Sequence, residues 1–412
     1  MPETNEVPGD GHSGGRAASP AGRKVGAKPR GLAFVLAVVL VPLALAACGS
    51  SSSNSSSTTT TSSSSSSSSG SSAAVASATT AVEELEQRPT TFTVPPLPKK
   101  PPTGKTIDYV SCGVPVCIAT GNVVRQAAEA VGWHYKFLNA GLTPASVAAA
   151  YEQAVIDDPA GIIGTGGFSP ELFVHQLAKL KEKGVPVVLN ITENPKNLPG
   201  VTYIQAGAEA QKEKGEEIGK WVLSDSKGKD AHVGIISTPA TPVYSHAHKS
   251  IEESMSSSNC ESCSVTTYSF AEPDIGTKLP TEIVTFLRTH PEINYLFFDF
   301  ANETDGVPSA LASAGLSSKV KLTTTDSGAI EDEYLKKGQV SVTAADPWPE
   351  AYWGMFDIIL RTEQGAPLTP AEEIVYPRML FTGSNVIVSP NTAPPPLVAD
   401  YQEVWKKAWH AG

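Results

Sequence analysis

Residues 161–190 read GIIGTGGFSPELFVHQLAKLKEKGVPVVLN. The opening GIIG and the closing VPVVLN are short continuous apolar runs, and residues 170–183 between them carry apolar side chains at helical spacing. A strand covered on both faces needs an unbroken apolar run, so the stretch predicts strand, crossover helix and parallel strand. The same alternation extends in both directions. Strands are expected at 107–110, 134–138, 201–205, 232–237, 264–269, 294–300, 320–324 and 339–344. Helices are expected at 121–131, 144–156, 208–224, 243–256, 277–289, 305–314, 329–337 and 349–361. About 300 residues of this pattern exceed what one sheet usually holds, so the natural division is two similar α/β halves. Ligands in such folds bind outside the carboxyl ends of the strands, which directs attention to the strand-to-helix loops.

The 412 residues hold 31 Lys and Arg against 42 Asp and Glu, a formal net charge of −11. A chain this acidic is repelled by a phosphate backbone, which argues against nucleic acid as a partner. Four basic residues, Arg23, Lys24, Lys28 and Arg30, precede the apolar run GLAFVLAVVLVPLALAA at 31–47. That order of charge, apolar run and small residues is the pattern of an export signal. The run ends in Leu45-Ala46-Ala47-Cys48, which resembles the bacterial lipobox; the resemblance implies a signal peptide over 1–47 and a diacylglyceryl-modified Cys48. Seventeen apolar residues with a central proline are short for a membrane span of about 20. From 48 to 104 the Ser/Thr block and the Pro-rich TVPPLPKKPPTG are expected to form a tether without a core. Four cysteines then remain. The local pairs Cys112–Cys117 and Cys260–Cys263 fit disulfides in an exported protein, with a redox or metal role for these thiols as the alternative.

The stretches LNAGLTPASVAAAYEQAVIDDPAGIIGTGG (138–167) and HQLAKLKEKGVPVVLN (175–190) resemble the first lobe of type I periplasmic binding proteins, the sugar-type group that serves ABC importers. HVGIISTPATPVYSHAHKSIEESM (232–255), LFFDFANETDGVPSALASAGL (296–316) and TTTDSGAIEDEYLKKGQVSVTAADPWPEAYWGMFDIIL (323–360) continue the likeness through the second. The resemblance covers roughly residues 105–385. It implies an α/β protein of two Rossmann-like lobes, each with a parallel sheet, joined by three hinge crossovers near 205–207, 344–347 and 374–381. The first lobe is then 105–206 plus 347–375, and the second 207–346 plus 376–412.

By the same resemblance, ligand groups come from the loops after the strands. In the first lobe these are Phe168, Asn190 and Thr192; in the second, Tyr244, His246, Asn302 and Asp326, with Asp346 and Trp348 at a hinge. Two arginines that grip sugar hydroxyls in the family are replaced here by Asn190-Ile191-Thr192 and Tyr244-Ser245-His246. Phe168, Tyr244, Phe300 and Trp348 offer stacking faces instead, so a sugar and a flatter, less polar solute both fit. Asn302 and Asp326 equally suit caps of the helices that follow them. His246 and His248 stand two apart on a helix and share no face, which speaks against a metal. No phosphate loop, nucleophile elbow, dinucleotide fingerprint or HExxH is present, so neither a cofactor nor an enzyme is expected. The reading that results is a monomeric, lipid-anchored receptor on the outer face of the cell membrane. It hands a small solute to an ABC permease or, alternatively, reports the solute to a membrane partner without transport.

Overall fold

The computed structural model describes residues 66–412 apart from 259, 261, 327 and 389–393. The expected signal peptide and Cys48 lie outside the described residues. In chain order the elements are α1 (Ser66–Leu85), β1 (Thr106–Ser111), α2 (Pro115–Ala130), β2 (His134–Asn139), α3 (Pro144–Asp157), β3 (Gly161–Gly164), α4 (Val174–Lys183), β4 (Val187–Asn190) and β5 (Val201–Gln205). Then come α5 (Ala208–Ser226), β6 (His232–Ser237), α6 (Ser245–Ser257), β7 (Ser264–Ser269), α7 (Leu279–Thr289), β8 (Tyr295–Phe298), α8 (Val307–Ala314), β9 (Lys321–Thr325), α9 (Ala329–Lys336) and β10 (Val342–Ala345). The chain closes with α10 (Trp348–Glu363), α11 (Thr369–Glu372), β11 (Met379–Phe381) and α12 (Tyr401–Ala408).

Two sheets result. The first runs β2-β1-β3-β4-β5 and is parallel throughout. The second runs β11-β10-β9-β8-β6-β7 and is parallel except for β11, which pairs antiparallel with β10. Strands β3 and β4, the pair that opened the reading, are buried at every position and lie side by side, Ile163 against Val188. Helix α5 crosses α6 closely enough that a Cβ on Gly215 would overlap the Ala247 carbonyl oxygen, so only glycine allows this approach. The chain passes between the lobes at 206–207, 346–347 and 376–378.

Two expectations are corrected. Residues 66–104 are not a free tether. Helix α1 lays Ala78 and Val82, an i, i+4 pair, against α5 of the second lobe, and Thr79 Oγ1 bonds Ser224 Oγ at 2.9 Å. The following strap buries Phe92 and Leu97 in the first-lobe core. Ser- and Pro-rich composition concealed these few apolar anchors. The C-terminal tail, in turn, does not stay with the second lobe: Leu397 belongs to its core, but Val398, Tyr401, Trp405, Ala408 and Trp409 pack with α10 and α2 in the first. Arg88 ties these two additional passages together, donating to the carbonyls of Leu397 at 3.0 Å and Pro396 at 3.3 Å.

One buried carboxyl makes stability depend on pH. Asp108 on β1 is fully buried, and its pKa is pushed up to about 7, first by burial and then by neighbouring Asp157, against the pull of Lys136. The folded state therefore keeps a proton that the unfolded chain releases from about pH 4 upward, and this contribution is lost as pH rises to about 7. Asp108→Asn should accordingly stabilise the chain at pH 8, on the order of 1–3 kcal/mol, and change little at pH 4.5. Urea midpoints of the two chains at both pH values check this; a gain equal at both would contradict it.

Candidate functional site

The carboxyl ends of both sheets face one another across a cavity of about 1140 Å³. From the first lobe come Cys112 after β1, Thr165, Gly166 and Gly167 after β3, Ile191 after β4, and Trp348 and Tyr352 of α10. From the second come 238–241 and Tyr244 after β6, 269–275 after β7, Phe300 and Asn302 after β8, and Asp326 after β9. The lobes touch beside it. A Cβ on Gly167 would lie 3.1 Å from Thr241 Cγ2, and Glu193 of the first lobe pairs with His246 of the second. The Cys112–Cys117 disulfide is formed and holds the start of α2 at this rim, with Gly166 so close that a Cβ would lie 2.5 Å from Cys112 Cβ. Cys260–Cys263 is also formed, away from the cavity lining.

The first-lobe wall is an aromatic stack. Trp348 lies over Tyr352 with centroids 5.7 Å apart, and Tyr352 meets Tyr109 edge-on at 6.3 Å. Thr165 Oγ1 at 2.7 Å and Asn190 Nδ2 at 3.0 Å fix the Tyr352 hydroxyl. Opposite, Tyr244 and Phe300 stack at 5.9 Å. Behind them, His248 pairs with buried Asp299, and the Asp299 N–H donates to Glu303 Oε2 at 2.8 Å. Burial drives Glu303 well above the usual carboxylate range, and the Asp299 charge adds to it.

Lys214 of α5 is the residue that sequence reasoning missed. It is 2 % exposed, and its ammonium lies 3.1 Å from Asp326 and against Asp346. Burial opposes its charge, yet the two carboxylates outweigh that and keep it protonated. Burial also acts on both acids. Lys214 prevails at Asp346, which is held below the ordinary range, while Asp326, crowded by Asp346, is raised well above it. A signal existed: Gln211, Lys214, Gly215, Ile218 and Val222 form one helical stripe, so polar residues stand where the core face should be.

The other expected site residues divide. Tyr244, Asn302, Asp326 and Trp348 line the cavity together. Neither Asn302 nor Asp326 caps a helix; the residues before α8 and α9 are Gly306 and Gly328, and Asn302 Nδ2 bonds Glu331 Oε1 at 2.8 Å. Thr192, His246 and Asp346 line a second cavity of about 800 Å³ against the hinge, which shares Trp348 with the first. Asn190 lies buried beneath Tyr352 and lines neither. The Phe168 ring turns onto the first-lobe core, leaving its carbonyl to accept from Thr192 Oγ1 at 3.1 Å. Backbone strain gathers here too. Ile191 (φ 52°), Ala206 (φ 52°) and Asp326 (φ 64°) hold left-handed conformations that side chains other than glycine adopt at a cost.

No curated protein matches the chain. Solved structures do match in fold. They include the glucose-galactose binding protein GanP of Geobacillus stearothermophilus, 16 % identical, covering 69 % of this chain and 99 % of that one at a TM-score of 0.58. The arabinose binding protein AraP of the same organism is also 16 % identical, covering 69 % and 98 % at 0.57. A solute binding protein of Actinobacillus succinogenes with bound D-allose is 14 % identical, covering 68 % and 98 % at 0.58. The model of the periplasmic binding protein domain matches residues 113–363, more than half of the chain. On that match and on the two-lobed fold, the chain belongs to the periplasmic binding protein domain family, whose members bind ligands and are not enzymes.

Proposed function

We propose that the chain is an extracytoplasmic solute receptor that closes its lobes over a small molecule and presents the closed form to the permease of an ABC importer. The cavity between the two sets of strand ends supports this most strongly, because the loops of both lobes contribute to it and only a closed pair completes it. The fold neighbours GanP and AraP are a glucose-galactose binding protein and an arabinose binding protein. Here the sugar's ring face would lie between Trp348–Tyr352 and Tyr244–Phe300, with a hydrogen-bond donor turned to Asp326. Thermal unfolding of the purified full chain against sugars, polyols and flat aromatic solutes tests the reading. A solute at a thousand times its Kd stabilises by about 4 kcal/mol and raises the midpoint by several degrees. A chain whose midpoint no solute moves would refute the receptor.

Phe300 is half-buried on a loop, so its loss should spare the fold. Phe300→Ala is expected to weaken solute binding about tenfold by calorimetry, the scale of one lost stacking face. Unchanged affinity would remove this wall from the binding site. The sequence at Cys48 supports anchoring through a lipid at the membrane's outer face. Among the described residues no helix is long and apolar enough to cross a membrane. Cys48→Ala should move the chain from the membrane fraction to the medium, and retention in the membrane would count against the anchor.

A further inference from the structure

Resting on the receptor reading, we propose that the solute carries a protonated amine, held between Asp326 and the aromatic walls. The charged side chains lining the cavity are Asp326, Glu272, Asp274 and Glu282; among the described residues no Lys, Arg or His lines it. A site for an anionic solute would need the reverse. A neutral sugar is usually gripped by carboxylates and planar cations together, because a bidentate guanidinium suits paired hydroxyls. Here the acceptors are present without the guanidinium.

The nearest ammonium does not supply the missing charge. Lys214 approaches from behind, and one cation serves two carboxylates, Asp326 and Asp346. Asp326, which shares this ammonium with Asp346 and keeps its proton, would give that proton up to pair with a second ammonium arriving from the cavity side. Lys278 is likewise taken by Asp274 at 2.8 Å, while Glu272 and Glu282 meet the neutral hydroxyls of Thr241 and Tyr268 and make no ion pair among the described residues. The aromatic rings point to the same class. Faces of Tyr244 and Phe300 attract a cation by about 0.5–2 kcal/mol each, more as water is excluded, while the Trp348 ring already has the Lys214 ammonium 5.9 Å from its centroid. The electrostatic field agrees with the geometry: after burial, the groups that push the Tyr244 hydroxyl well above its usual range are all carboxylates, Asp326 first.

A second, independent feature asks for a ligand. Trp348 is 5 % exposed, lines the cavity, and its Nε1–H is buried without an acceptor. A buried donor left unpaired costs about 1–3 kcal/mol, which a hydroxyl or ether oxygen on the solute would recover once the indole turns its N–H to the cavity. An ammonium for Asp326 and an oxygen for Trp348 together describe an aminated polyol or amino sugar.

Matched solutes on the full chain test this by calorimetry at pH 7: glucosamine with glucose, galactosamine with galactose, and the corresponding uronic acids. The amine member of at least one pair should bind at least tenfold more tightly than its neutral partner, and the acids should not bind. Asp326→Asn, which leaves Lys214 paired with Asp346, should reduce that preference to less than threefold. A neutral sugar that binds as well as its amine, any uronic acid that binds, or a preference that survives Asp326→Asn would overturn the inference and leave the receptor intact. Silence from all three charge classes, with no solute released when the purified chain is denatured, would overturn the receptor reading and this inference with it.

Discussion

Lys214→Met should destabilise the chain by about 3–5 kcal/mol at pH 8, the cost of leaving a buried charge without its partner. The methionine fills most of the space, so packing is nearly kept and the loss is electrostatic. Asp326 and Asp346 then face each other with no cation between them, and Asp326 is already held at a positive φ. Asp326 already keeps its proton beside Asp346, and without the ammonium Asp346 is pushed up as well, so the folded pKa values of both stand above the unfolded one. Stability of the variant is therefore best below the unfolded carboxylate pKa and is lost as pH rises through the raised one. Urea denaturation at pH 5 and pH 8 should show the gap to the parent chain narrowing on the acid side. Adding Asp326→Asn to the variant should recover much of the loss at pH 8. A cost below 1 kcal/mol, or one independent of pH, would mean that the three side chains are not coupled as described.

That triad marks where the sequence stops being legible. The strands and crossover helices were readable because buried parallel strands leave continuous apolar runs and helices leave a 3.6-residue stripe; GIIG, VPVVLN and 144–157 fall where those rules place them. The loops that line the cavity were readable for the same reason, since strand ends locate them. What a loop side chain touches was not. Asn190 and Tyr352 are 162 residues apart in sequence and share a hydrogen bond, and Phe168 turns inward, although its loop position predicts an exposed ring. Pairings of this length depend on how two sheets and α10 come together, which no local pattern encodes. The segment 66–85 failed differently. Its composition is that of a linker, and Ala78 and Val82, with Leu85 beside them, dock it on the cluster that holds Ile218, Trp221 and Val222 of α5.

The C-terminal tail supplies the other large effect: Trp409→Ala should cost about 3–5 kcal/mol. Its indole is fully buried and stacks on Trp353 with centroids 5.1 Å apart and planes 7° apart; Trp405 tilts against it at 5.4 Å. The Trp409 Nε1–H donates to Asp357 Oδ1 at 2.8 Å, while Arg361 Nε holds the other oxygen of that carboxylate at 2.6 Å. Arg361 in turn donates to the Pro95 carbonyl at 2.7 Å, so one buried ion pair on α10 gathers the tail and the N-terminal strap together. Truncation at 409 consequently opens a cavity and strips a hydrogen bond from a buried charge at once. Trp409→Phe separates the two: the ring survives and the donor goes, so about 1–3 kcal/mol should be lost. Both losses should appear in the midpoint of chemical unfolding of the full chain. The N-terminal strap should also loosen, with the amides around Leu97, whose N–H bonds the Ala408 carbonyl at 2.9 Å, exchanging faster with solvent. A Trp409→Ala chain with unchanged midpoint and unchanged exchange at Leu97 would show that the tail merely rests on the first lobe, and that the five passages between lobes act as the three of the simpler fold do.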